Sequence, residues 1–181
     1  MTEEITTLSS RLAYQNRWMR VREDEIAFPD GHRGLYGVVE KPEFAVVVAQ
    51  HGDGRIQMVN QYRYPVRGRY WELPLGAWEG QESPDPAALA AAELREETGY
   101  TAETWEQITY LHQAPGFCSH GFHLFRATGL VPGPVEREAE EQGMVSDAFS
   151  LDDILEMIRR GEIMDATTLA ALGYLRLIGS L

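Results

Sequence analysis

An α/β fold, with a mixed sheet between helices and a β extension ahead of it, is predicted by three observations. Strand-like stretches and helix-like stretches alternate along the chain, the order expected when helices cover a sheet. The run from Phe44 to Gln50 is almost wholly apolar, as a strand buried on both faces requires. One helical stretch carries both of its boundary signals, with Asp85-Pro86 ahead and Gly99 behind. In chain order, residues 12 to 28 and 34 to 40 read as strands around a turn at Phe28-Pro29-Asp30-Gly31. After the apolar strand, Asp53-Gly54 predicts a hairpin into a strand from Ile56 to Tyr62. The next helix starts at Asp85 or Pro86, because Asp accepts hydrogen bonds from free first-turn amides and Pro has no amide to satisfy there. It stops at Gly99, where a left-handed residue costs nothing. Strands follow near 105 to 113 and 121 to 128. Ser150 caps a helix whose apolar residues Leu151, Ile154, Met157 and Ile158 run out at Gly161. Asp165 caps the last helix, expected to turn Leu169, Leu172 and Leu175 inward. There are no repeats, and the densest charge run is Glu136 to Glu141.

Length and composition suit one catalytic domain. With 181 residues and 44% hydrophobic content, the chain can bury a sizeable core, and no second independent unit is indicated. The expected division is a β extension over 1–40 and the main domain over 41–181. A formal net charge of −12 argues against binding nucleic acid or an anionic membrane, both of which call for basic surface. It does not exclude a small phosphorylated substrate, since local cations and a bound metal set the field at a site. The lone Cys118 rules out an internal disulfide framework and fits a reducing cytoplasm. No apolar run approaches transmembrane length, and Met1-Thr2-Glu3-Glu4 lacks the basic start of a signal peptide. A cytoplasmic location is therefore expected.

The most informative run is Ala92-Glu93-Leu94-Arg95-Glu96-Glu97-Thr98-Gly99-Tyr100. Glu93, Glu96 and Glu97 stand at i, i+3 and i+4, within roughly a third of the helix circumference, so their carboxylates are expected to converge. Three like charges so close call for a cation. Carboxylate oxygens suit Mg²⁺ or Mn²⁺, shared with substrate phosphates, better than zinc. The alternative for this run alone is a solvated acidic helix face. Upstream lie Trp71-Glu72-Leu73-Pro74-Leu75-Gly76, then five residues, then Glu82. Together these segments resemble the Nudix hydrolase signature, with Gly76, Glu82, Glu93, Leu94, Glu96, Glu97 and Gly99 matching. The resemblance implies an α/β/α sandwich with a mixed sheet. The sequence departs from the signature twice. Ala92 stands where the family has an Arg that braces a catalytic carboxylate, and nine residues separate Glu82 from Ala92 where the signature has seven. An insertion in the Ser83-Pro84-Asp85-Pro86 loop accounts for the second departure.

The Glu72-Leu73-Pro74-Leu75-Gly76 entry, Gln61-Tyr62-Arg63 and Gly161-Glu162-Ile163-Met164-Asp165 are similar to ADP-ribose pyrophosphatases within that family, over residues 15 to 178. Pro115, fifteen residues beyond Tyr100, matches a further marker of the group, and its alternative reading with Gly116 is a plain turn. Many members carry an acidic residue just after this Pro-Gly, where this chain has Cys118-Ser119-His120-Gly121. The resemblance implies metal-dependent hydrolysis of a nucleoside diphosphate linked to another moiety, ADP-ribose giving AMP and ribose 5-phosphate. It implies Glu97 and Glu93 as metal ligands, with a backbone carbonyl of Leu75 or Gly76 as a further one. Glu96 is either a ligand or a base that orients water. The base of the group often lies on a later loop, which makes Glu136, Glu138, Glu140 and Glu141 candidates, the last three preferred. Substrate contacts are expected from Arg63, Glu72 and Pro115, with Trp78 and Phe117 able to stack an adenine. Arg67 and Arg69 read as ordinary solubilising residues, and His120 and His123 as satisfied polar or pocket-rim residues. A homodimer is expected, in which the strands before residue 40 cover an exposed edge and contribute to the partner's pocket. Two other readings stand beside the enzyme: a degenerate Nudix domain that senses a nucleotide without hydrolysing it, and a purely structural domain.

Overall fold

The computed structural model describes residues 4–78, 85–137 and 143–181. Its strands form three sheets among these residues. The N-terminal extension is an antiparallel sheet of β1 (Thr6–Gln15), β2 (Arg20–Ala27) and β3 (Arg33–Glu40), in that order. The mixed sheet has the order β7-β4-β9-β8, from β4 (Phe44–Ala49), β7 (Leu75–Gly76), β8 (Tyr100–His112) and β9 (Gly121–Pro132). Within it β4 and β9 run parallel. The third sheet is antiparallel, with β5 (Ile56–Arg63) between β10 (Val145–Phe149) and β6 (Gly68–Glu72). The helices are α1 (Pro86–Thr98), α2 (Leu151–Arg159) and α3 (Ala166–Leu177). None is long and apolar enough to cross a membrane.

Strand β4 organises the core because both its faces are covered. Phe44, Val46 and Val48 point into a cluster with Ile154 and Met157 of α2 and Leu172 and Leu175 of α3. Ala45, Val47 and Ala49 face the other way, toward Leu89, Ala90 and Leu94 of α1. The alternation is the period of two of a strand, here apolar on both sides. Helix α1 begins where its signals place it: the Asp85 side chain accepts from Ala87 N at 3.1 Å, and Pro86 opens the first turn. It ends at Gly99, whose φ of 77° permits the left-handed cap. Ser150 and Asp153 form a reciprocal cap on α2, and Asp165 caps α3.

The structure corrects four expectations. The stretch from 12 to 28 is not one strand, because the Asn16 side chain accepts from Trp18 N and Met19 N, both at 2.9 Å, and breaks it into β1 and β2. Asp53-Gly54 does make a turn, but only the single bridge Gln50↔Ile56 follows it, and β4 and β5 part into different sheets. The strands near 105 and 121 run longer than expected, from Tyr100 to His112 and from Gly121 to Pro132. Leu169 is 36% exposed; Thr168 turns inward in its place and accepts from the buried Leu73 N at 3.0 Å. That bond ties α3 to the segment leading into β7.

Candidate active site

On α1 the buried residues include Leu89, Ala90, Glu93, Leu94 and Glu97. Glu93 and Glu97 follow Leu89 at steps of four, so they continue its core-facing stripe. They are only 9% and 1% exposed, which excludes the reading of this run as a solvated acidic face. Both meet β7. Leu75 N donates to Glu97 Oε2 at 3.1 Å. The Glu93 carboxylate lies so close to Gly76 that a Cβ there would stand 2.4 Å from its oxygens, and any side chain at this position would displace the carboxylate.

Glu96 lies off this stripe and is partly exposed; Arg95 Nη2 reaches its Oε1 at 3.1 Å. The structure thus brings Glu93, Glu97, Leu75 and Gly76 together, and Glu96 beside them. Among the described residues no three carboxylate, His or Cys groups are placed to hold one ion. Where the family Arg is replaced by Ala92, two other guanidiniums serve the end of the helix. Arg95 Nε stands 3.4 Å from Glu136 Oε2, and Arg137 donates to the Glu97 carbonyl through Nε and Nη2, each at 3.1 Å. A carbonyl in the last turn has no helical partner of its own, so a cation suits it. Glu136 N also donates to Glu96 O at 3.2 Å. Glu82, Glu138, Glu140 and Glu141 lie outside the described residues.

Leu75 and Gly76 also line a cleft of about 1190 Å³. Arg63, Glu72 and Trp78, the candidate substrate contacts, are among its lining residues. Glu72 is buried, and Arg63 Nε lies 3.0 and 3.1 Å from its two carboxylate oxygens. Burial works against the charge on Arg63, but Glu72 first, then Glu97 and Asp165, outweigh it and hold the guanidinium above its usual pKa. Glu72 is therefore occupied in orienting Arg63, whose Nη1 donors remain for a ligand. Arg67 and Arg69 do not line the cleft; Arg69 Nη1 instead donates to Gly143 O at 2.8 Å.

Pro115 and Phe117 are not brought to the cleft. They lie on an exposed turn that is bolted to the extension, Val39 N donating to Phe117 O at 2.8 Å and Ser119 N to Val39 O at 3.1 Å. Arg17, Trp18, Lys41 and Tyr64, which the sequence did not single out, also line the cleft, as does His120. Arg17 and Trp18 come from the tight turn between β1 and β2, which no strand period reveals. Of the two readings given for the histidines, His123 is the satisfied one, 3.1 Å from Glu43 Oε2, whereas His120 stands in the cleft lining with its Nδ1 sealed from solvent and without a hydrogen bond.

Comparison with known proteins decides the family. A model of the NUDIX domain matches residues 40–171. The chain belongs to the Nudix hydrolases. A second model, the nucleoside diphosphate sugar hydrolase N-terminal domain, matches residues 5–39. The chain is 34% identical to the ADP-ribose pyrophosphatase of Mycobacterium tuberculosis, over 92% of this chain and 81% of the relative. It is 32% identical to the ADP-ribose pyrophosphatase of Bacillus subtilis, over 96% of this chain and 94% of the relative. A crystal structure of an ADP compounds hydrolase shares the fold, with a TM-score of 0.82 at 20% identity over 99% of this chain and 98% of that one. This Nudix hydrolase is thus an enzyme of the pyrophosphohydrolase type, similar to ADP-ribose pyrophosphatases.

Replacing Gly76 with Ala drives a methyl group into the Glu93 carboxylate. Gly76→Ala is expected to lower kcat/KM by about 100-fold on the best substrate of the wild type, since a misplacement of this kind costs that much in rate. Its far-UV circular dichroism should not change. Activity within about threefold of wild type would contradict this placement of Glu93.

Proposed function

We propose that the protein hydrolyses the pyrophosphate bond of a nucleoside diphosphate linked to a second moiety, with ADP-ribose, giving AMP and ribose 5-phosphate, as the preferred substrate. The observation that carries this reading is the meeting, across Leu75 and Gly76, of the buried pair Glu93 and Glu97 with a long cleft. At about 1190 Å³ the cleft exceeds the roughly 300–1,000 Å³ usual for small-molecule sites. That size suits a ligand with two substituents on a central pyrophosphate. Arg17, Lys41 and Arg63 supply cations to a chain that is otherwise strongly acidic, and Trp18, Tyr64 and Trp78 supply rings. Trp18, about half exposed, offers a face on which a base can stack. The two relatives named above carry the same activity in their names.

The donor set fits a hard divalent cation. Two buried carboxylates one turn apart repel each other, and Mg²⁺ or Mn²⁺ is commonly held by one or two carboxylates together with waters and substrate phosphates. Glu93 and Glu97 would hold it, with a carbonyl of Leu75 or Gly76 beside them. When bound, the ion neutralises phosphate oxygens and lowers the pKa of water. The residues of the chain do the rest. Arg63, fixed by Glu72, offers Nη1 to a phosphate oxygen, and its planar guanidinium sets the phosphate's orientation. Glu96, less buried than its neighbours, would accept a proton from water or serve as a further ligand; Glu138, Glu140 and Glu141 are the alternative bases. Arg95 and Arg137 fix the end of the helix from which Glu96 and Glu97 project. Cleavage of ADP-ribose should show a higher kcat/KM than hydrolysis of ATP when products are separated chromatographically. A higher value for ATP would overturn the substrate assignment.

The same reading includes a homodimer built on the extension. Strand β1 is exposed along its whole length, and Leu8, Leu12, Tyr14, Leu35 and Tyr36 leave apolar surface open on this sheet. Surface of that kind calls for a partner, and two-fold dimers are the commonest closed assembly. Multi-angle light scattering at micromolar concentration should give about twice the chain mass of 20.4 kDa. A monomer would refute this.

A further inference from the structure

We infer that His120 donates a hydrogen bond from Nε2 to the second substituent of the pyrophosphate, an uncharged hydroxyl-bearing group, and so selects among nucleoside diphosphate derivatives. The inference rests on the reading under Proposed function.

His120 lines the cleft and is only 4% exposed. Its place is fixed from several sides. Its carbonyl accepts from Gln113 N at 3.4 Å, and its ring tilts against that of Phe44 with centroids 6.3 Å apart. The next residue, Gly121, allows β8 to close on this point, for a Cβ there would lie 2.2 Å from Leu111 O. The ring cannot place a proton on Nδ1 without cost, because that atom is sealed and has no acceptor. A buried N–H without a partner is rarer than a bare lone pair. The proton of the neutral ring therefore belongs on Nε2, which is not among the sealed atoms. Burial, and then Lys41, lower the pKa of the imidazole against a smaller opposing effect of Glu43. The ring is accordingly neutral at pH 7 and offers a donor without charge, which matches a hydroxyl oxygen better than an anion.

Sheet order says which part of the ligand it meets. Gly76 pairs with Ala45 on one side of β4, while Phe44 lies abreast of Phe122 of β9 on the other. Two strand spacings, about 10 Å, thus separate the Gly76 edge from the start of β9, just before which His120 stands. A pyrophosphate held at that edge extends a substituent across the start of β4 to His120.

The test compares ADP-ribose with the β-methyl ester of ADP, whose second substituent has no hydroxyl, on wild type, His120→Phe and His120→Gln. Phe keeps a ring against Phe44 and removes both nitrogens; Gln restores a donor. His120→Phe should raise KM for ADP-ribose about 10- to 100-fold, leave kcat within about threefold and leave the methyl ester unaffected. His120→Gln should recover part of the loss. An unchanged KM for ADP-ribose, or equal losses on both compounds, would overturn the proposal. If the wild type cleaves neither compound, the functional reading fails by itself. His120 is then decided by nitrogen NMR of the imidazole during titration with ADP-ribose in the absence of divalent metal. A shift of the His120 Nε2 resonance supports the donor, and no shift at saturation overturns it; this readout also serves should His120→Phe fail to fold.

Discussion

The structure depends on a conflict placed inside the fold: two carboxylates, Glu93 and Glu97, on the stripe of α1 that faces the core. Burying such groups costs several kcal/mol each unless they are well paired. Leu89, Ala90 and Leu94 pack the helix against β4, and the acids on the same stripe are carried inward with them. What meets them is the short strand β7, through the Leu75 amide and the absent side chain of Gly76. Much of the remaining architecture holds β7 in place. Ala45 and Val46 pair with it, Pro74 O accepts from Val47 N at 2.9 Å, and Thr168 of α3 holds Leu73 N.

Residues of β7 touch groups of both charges. Leu75 and Gly76 meet the acids of α1 and also line the cleft in which Arg63, Lys41 and Arg17 collect positive charge in a protein of net charge −12. The pairing of Arg63 with buried Glu72 keeps the guanidinium at one angle. The extension also contributes directly, since the β1–β2 turn carries Arg17 and Trp18 to the cleft of its own chain.

Features governed by local rules were legible in the sequence. The limits of α1 followed from Asp85, Pro86 and Gly99, and the caps of α2 and α3 from Ser150 and Asp165. The same holds for β4, whose apolar run needs no partner to be recognised. Elements set by tertiary contact were not legible: β7 has two residues and no period, while β6 and β10 are strands because β5 lies between them. At the site, sequence spacing marked Glu93 and Glu97 but treated Glu96 alike. Only the packing of α1 on β4 distinguishes the step of four from the step of three. Arg17, Trp18 and Lys41 come to the cleft from turns and strand ends, and no local pattern marks them. Pro115 and Phe117 were legible as a motif, yet hydrogen bonds to Val39 hold their loop away from the cleft.

The central claim is that Glu93 and Glu97 form a buried pair made for a divalent cation. Electron paramagnetic resonance of free Mn²⁺, titrated into metal-free protein, tests it without any assumption about substrate. Wild type should bind Mn²⁺, and Glu97→Gln should weaken that binding at least about tenfold. The surface change Glu156→Gln, which removes the same charge from an exposed ion pair with Arg159, should leave it unaltered. Binding equally strong in Glu97→Gln, or equally weakened by both substitutions, would contradict the account.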